Sequence, residues 1–150
     1  MALREKLEED IKTSMRGRDQ ARLDALRFYK NAVLAVEKEQ KKELDDAGMI
    51  EVAAKQASDR RDSIKAFEEG GREAMAAKES AELVVLEEFL PPQMSLEEIG
   101  KLIKDTAAAV GAASIQDKGK LMGKLMPQVR GKADGTVVNE MATEYLESLA

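Results

Sequence analysis

Residues 86–99 read LEEFLPPQMSLEEI, from Leu86 to Ile99. Proline has no amide hydrogen, and it drives the residue before it out of the α conformation. No helix therefore runs on through Leu90-Pro91-Pro92. Ser95 stands three positions before Glu98, the spacing of a capping box that opens a new helix. The stretch predicts a helix that stops, a rigid break, a second helix, and a domain boundary at about residue 92. The expected domains are residues 1–92 and 93–150. Upstream lie long charged helices. Downstream, Gly100, Gly111, Gly119, Gly123, Gly131 and Gly135 fall within 36 residues and imply shorter ones.

Working outward, the chain reads as all-α. Ala, Leu, Glu, Lys, Arg, Met and Gln dominate, and no stretch sustains period-2 alternation. A first helix is predicted over about residues 2–15, with Leu3, Leu7, Ile11 and Met15 as an apolar stripe. Gly17 breaks it. Asp19 caps a second helix reaching about Leu44, with Leu26, Tyr29, Val33 and Val36 as its seam. The charged run Glu37–Glu43 is expected to project into water, and Asp45-Asp46-Ala47-Gly48 to form the turn. A third helix follows over about 49–69, with Met49, Val52, Ala53, Ile64 and Phe67 inward, and Gly70-Gly71 ends it. A fourth covers about 72–89, with Met75, Leu83, Leu86 and Leu90 inward. Beyond the break, a fifth helix spans about 96–110 (Ile99, Leu102, Ile103 and Val110 inward). Ser114 and Asp117 give a second capping signal. A sixth helix covers about 115–126 and stops before Pro127. Asp134 caps a last helix to about Leu149, with Val138, Met141, Tyr145 and Leu149 inward.

Composition removes several functions. Histidine, cysteine and tryptophan are absent. Histidine-based acid–base chemistry, cysteine nucleophiles, disulfides and the usual zinc and iron–sulfur sites go with them. The 24 cations face 29 anions, a net charge of -5, and aromatics are 3%. That balance argues against nucleic acid along the whole surface and against base-stacking platforms. Met1 to Arg16 lacks the apolar core of a signal peptide. No uncharged run approaches the ~20 apolar residues of a membrane span. The expectation is a cytoplasmic protein without a membrane partner.

One segment departs from the acidic average. Residues 114–135 read SIQDKGKLMGKLMPQVRGKADG. Lys118, Lys120, Lys124, Arg130 and Lys132 oppose only Asp117 and Asp134, so this piece carries +3 and the rest -8. A local cationic patch steers a polyanion to one place. Gly119 and Gly123 lie four apart on one helical face, where the missing side chains admit another backbone, or else let two helices pack closely. Gly131 and Gly135 permit turns in which successive amides point at an anion. A second basic stretch, Lys12 to Lys30, is net +4. Its Arg22, Arg27 and Lys30 either face outward as a secondary patch or pair with nearby acids such as Asp24.

LPPQMSLEEI and GAASIQDKGKLMGKLMPQVRGKADGTVVNEM together resemble the YqeY family over essentially the whole chain. Arg60-Arg61-Asp62-Ser63-Ile64 and Leu86 to Pro91 are similar to it as well. Residues from about 91 onward also resemble the tail domain of the B subunit of tRNA-dependent amidotransferases, which amidate Glu-tRNA(Gln) or Asp-tRNA(Asn). The resemblance implies an N-terminal long-helix bundle or hairpin part and a small C-terminal three-helix domain. It implies tRNA as partner, with amidotransferase or synthetase components as further candidates, and association with a carbon–nitrogen ligase activity that takes glutamine as amido donor. Only the tail motif transfers, and it brings no catalytic residue, metal ligand or cofactor.

The residues offer no independent active site. Glu87-Glu88 and Glu97-Glu98 are helix neighbours that point in different directions. Ser63 near Lys65 lacks a pocket to perturb its chemistry. The expected function is a tRNA-binding accessory module. Lys118, Lys120, Lys124, Arg130 and Lys132 grip phosphates, so shape is read rather than base sequence. Gly119, Gly123, Gly131, Gly135 and Asp134 form the surrounding structural motif. The alternative is a protein-interaction adaptor that docks through the N-terminal helices.

Overall fold

The computed structural model describes residues 2–149. Among them are seven α-helices and no strand. They fall into two compact units that meet at Pro91 and Pro92. The first unit holds α1 (Leu3–Arg16), α2 (Gln20–Gln40), α3 (Asp46–Glu69) and α4 (Glu73–Glu87). The second holds α5 (Leu96–Val110), a 3-10 turn at Ile115–Asp117, α6 (Lys118–Val129) and α7 (Gly135–Ser148).

The first unit closes around Leu7, Ile11, Leu23, Leu26, Tyr29, Val33, Met49, Ala53, Val85, Leu86 and Phe89. Tyr29 is its pivot. Its ring packs on Phe89 with centroids 5.1 Å apart. Its hydroxyl donates to the Met49 carbonyl at 2.8 Å, which satisfies a polar group in an apolar setting. Burial holds that phenol protonated, far above its ordinary range.

Several expectations are corrected here. A four-residue repeat overshoots a 3.6-residue turn by about 40° per step. Leu7 and Ile11 are buried, but by Met15 the drift has turned the side chain out to 54% exposure, and Ser14 takes the inward place. In α4, Ala76 is buried where Met75 was expected, and Met75 is exposed. Leu149 is likewise exposed, with Ala142 and Leu146 buried instead.

α2 ends at Gln40, four residues earlier than expected. Lys41 adopts a left-handed conformation (φ 55°) and its amide donates to the Glu37 carbonyl. The Glu37 side chain, far from projecting into water, is the centre of a clasp. It accepts from Arg4 Nη2 at 2.5 Å and from the Leu44 amide at 2.7 Å. Arg4 also donates to the Leu44 carbonyl and pairs with Glu43. The backbone amide of Leu44, above all, holds the Glu37 carboxyl below the usual glutamate range. Asp45 is then the N-cap of α3, accepting from Gly48 at 2.8 Å, so the turn is Lys41–Asp45.

In the second unit the core is Ile99, Ile103, Ala107, Ala112, Leu121, Leu125, Val129, Val138, Ala142 and Leu146. Ser95 and Glu98 form the capping box of α5, and Gly111 ends that helix at φ 72°. Asp117 accepts from the amides of Ala113 and Ser114 and closes the entry to α6. α6 starts at Lys118, because Ile115–Asp117 is the 3-10 turn. It also runs through Pro127 to Val129 instead of stopping short. Pro127 forgoes one bond to the carbonyl of the solvent-facing Gly123 and crowds that turn, a cost of about 3 kcal/mol inside a helix. Continuing the helix buries Val129 completely, worth about 1.5–3 kcal/mol, which offsets most of it.

Glu88, just past α4, adds to the acid sensitivity of the first unit beside Glu37. Its carboxyl receives two bonds from the Arg22 guanidinium at 2.7 and 2.9 Å, which holds it below the usual range. A depressed carboxyl stabilises the fold above the unfolded titration range and loses that contribution as pH falls through the folded one. We expect the thermal midpoint to fall as pH drops below about 5. Glu88→Gln should be less stable than the parent at pH 7, by under about 1 kcal/mol because the pair is partly exposed. The two proteins should converge once the pH has fallen through the folded-state titration of Glu88. Thermal melts followed by circular dichroism across this range check it.

Candidate nucleic-acid interface

Helix α6 places three of the five singled-out cations, and it carries no acid. Leu121, Leu125 and Val129 recur every four residues and face the core at 0% exposure. That register turns Gly119, Lys120, Gly123, Lys124 and Pro127 outward, and all five are exposed. A Cβ built on Gly119 or Gly123 meets nothing within 4 Å. Close helix packing is therefore not what this glycine pair serves. The pair leaves the outer face of α6 low beside two lysines one turn apart.

Among the described residues, Lys120, Lys124 and Lys132 form no side-chain ion pair. Asp117 is the acid nearest in sequence. Its carboxylate is taken by the amides of Ala113 and Ser114, which hold it below the usual range, and the Lys120 charge adds to that. Lys118 belongs elsewhere: it donates to Asn139 Oδ1 of α7 at 2.9 Å. α7 bears Glu140, Glu144 and Glu147 and no cation. At 100° per residue these three lie opposite Val138, Ala142 and Leu146, so one small unit carries a cationic outer helix face and an anionic one.

Arg130 and Lys132 sit on the α6–α7 loop with exposed side chains. The loop is tightly tied. The Arg130 amide donates to Met126, and the amides of Lys132 and Ala133 both donate to Val129. Gly131 is buried at φ 78°, a conformation open to glycine at no steric cost. Asp134 accepts from the Thr136 amide at 3.0 Å and caps α7. Gly135 opens that helix with the Met126 methyl 3.5 Å from where a Cβ would stand. The amides of Arg130, Lys132 and Ala133 are used internally, and what these positions offer an anion is side-chain charge.

The second basic stretch does not form a cationic row. Arg22 is held by Glu88, with Asp10 at 3.6 Å, and Lys30 pairs with Glu8 at 2.9 Å. Arg27 reaches the Met15 sulfur at 3.9 Å. The acids that neutralise Arg22 and Lys30 come from α1 and the end of α4, not from Asp24, which accepts from Gln20. Arg60, in the other family-like stretch, is an anchor: it pairs with Glu79 and Glu82 and lies 4.3 Å over the Phe28 ring.

Three participants were missed in the sequence. Pro127 extends the low outer face of α6. Gln93 donates from Nε2 to the Gly131 carbonyl at 2.8 Å, and the Met94 amide donates to the Lys132 carbonyl at 2.8 Å. No local signal marks either contact, since each partner is 38 residues away.

Comparison with known proteins gives two findings. A family model described as Yqey-like protein matches residues 4–146. Two relatives carry the name "Altered inheritance of mitochondria protein 41, mitochondrial". The one from Pyrenophora tritici-repentis is 26% identical over 144 residues, which is 94% of this chain and 79% of the relative. The one from Kluyveromyces lactis is 32% identical over 147 residues, 93% of this chain and 80% of the relative. No described helix is long and apolar enough to cross a membrane.

The open space at Gly123 has a consequence for stability. A glycine in a helix interior costs about 0.5–1 kcal/mol relative to alanine. Gly123→Ala should raise the stability of the second unit by about that much, read as an upward shift of its urea midpoint.

Proposed function

This chain belongs to the Yqey-like protein family, and on that footing we propose that it is a tRNA-binding accessory module without an active site of its own. It holds the phosphate backbone against the outer face of α6 and the α6–α7 loop. The observation that carries this reading is the cluster of Lys120 and Lys124, free of ion pairs, along one side of the open glycine face, with Lys132 on the loop that follows. Arg130 adds to the same end of the helix. Lys120 and Arg130 are ten residues apart, about 15 Å of helical rise, so the set reaches several consecutive phosphates. Cations on phosphates carry no base information, so shape selects the RNA. The resemblance of residues from about 91 onward to the tail domain of tRNA-dependent amidotransferases supports tRNA as the ligand, and glutamine-dependent amidation machinery as the setting. The reading needs a compartment that contains tRNA. The cytoplasm is one, and the mitochondrion in the relatives' names is another.

The test is binding of bulk tRNA as a function of salt. With four cations engaged, the logarithm of affinity should fall with the logarithm of salt at a slope near three to four. Lys120→Glu combined with Lys124→Glu should abolish binding and leave the circular dichroism spectrum unchanged. Gly123→Ala should bind more weakly while being the more stable protein. Equal tRNA affinity for the parent and the double glutamate variant would refute the reading.

A second reading rests on a groove of about 810 Å³ between α2 and α3, floored by Ala32, Val36 and Val52. An adaptor would dock its partner there and be indifferent to the lysine pair.

A further inference from the structure

The loop that carries Arg130 and Lys132 is held from outside as well as from within. Its own amides close onto Met126 and Val129. From across the unit, the Gln93 side chain donates to the Gly131 carbonyl and the Met94 amide to the Lys132 carbonyl, both at 2.8 Å. The donor segment is itself fixed, because the next amide, that of Ser95, donates to Glu98 in the capping box of α5. Gly131 is buried in a left-handed conformation, and the residues on either side of it are the two cations. A residue at φ 78° reverses the local chain direction, so this one torsion sets where both neighbouring side chains leave the backbone.

We propose that Gln93 is a positioning residue for phosphate binding: by anchoring the Gly131 carbonyl it presents Arg130 and Lys132 as a preformed cation pair beside the outer face of α6. The inference rests on the reading of that face as the phosphate site. Gln93 touches no ligand. Its effect is to remove the ordering that a mobile loop would undergo on binding, which otherwise subtracts from affinity. Arginine and lysine side chains are long, and a loop that wanders by a few ångströms takes both away from the spacing of consecutive phosphates.

Two substitutions separate the donor from the volume. Gln93→Met keeps the reach and removes the donor; Gln93→Ala removes both. Each is made in the full chain and in a background carrying Arg130→Ala and Lys132→Ala. Bulk tRNA affinity is read across salt, and amide hydrogen exchange is read at Met94, Lys132 and Ala133. Both substitutions should weaken tRNA binding about three- to tenfold, the scale of losing one ordered hydrogen bond. They should also lower the salt slope by about one to two. In the double-alanine background they should have no further effect, because the groups being positioned are gone. The three amides should exchange several-fold faster in either variant.

A Gln93→Met protein with the parent's affinity and slope would overturn the proposal. So would an undiminished penalty in the double-alanine background, which marks a general loss of stability. Unchanged exchange at all three amides would overturn it independently of RNA. A parent chain that shows no salt-sensitive tRNA binding, with exchange in the Gln93 variants accelerated as expected, would instead defeat the phosphate reading and leave Gln93 as an anchor of the loop.

Discussion

A pair of prolines organises this molecule. Pro91 and Pro92 donate no backbone hydrogen bond, so the helical ladder that dominates the chain stops there and restarts at Ser95. Each side must then build its own core. The first does so with four helices around Tyr29 and Phe89, and the second with three around Leu121, Leu125, Val129 and Leu146. The break is also put to use. In the segment between the helices, the Gln93 side chain and the Met94 amide reach the loop between α6 and α7.

Charge is handled differently in the two units. In the first, cations meet acids across helices: Arg4 with Glu37, Arg22 with Glu88, Lys30 with Glu8, Arg60 with Glu79 and Glu82. These partly covered pairs take cations out of play at the surface. In the second unit, α6 presents lysines outward and α7 glutamates. Segregated charge of this sort does little for the fold, yet it creates a field with a direction, and that is what a polyanion responds to.

The match to the Yqey-like family spans residues 4–146, so it takes in both units. The candidate interface nonetheless lies within the C-terminal unit. Its pieces come from α6, from the loop after it and from the segment before α5. They are remote in sequence and close in space, which is how a small helical unit makes a surface more specific than any one of its helices.

The sequence alone determined what depends on local chemistry. Helix-forming residues without alternation dictated an all-α protein, the proline pair and the Ser95–Glu98 spacing located the break, and the glycines and lysines of residues 114–135 marked the basic segment. Tertiary structure decided whatever depends on a partner far along the chain. Whether Lys118 or Lys120 is available turns on Asn139; whether Arg22 is free turns on Glu88, 66 residues away. Whether α6 outlasts its proline turns on a core that accepts Val129. The Glu37 carboxylate illustrates the limit: in sequence it is one more charge in a hydrophilic run, and only the approach of Arg4 and the Leu44 amide makes it the knot of the first unit. Pairing and burial are energies between groups that folding brings together, so no window of sequence contains them.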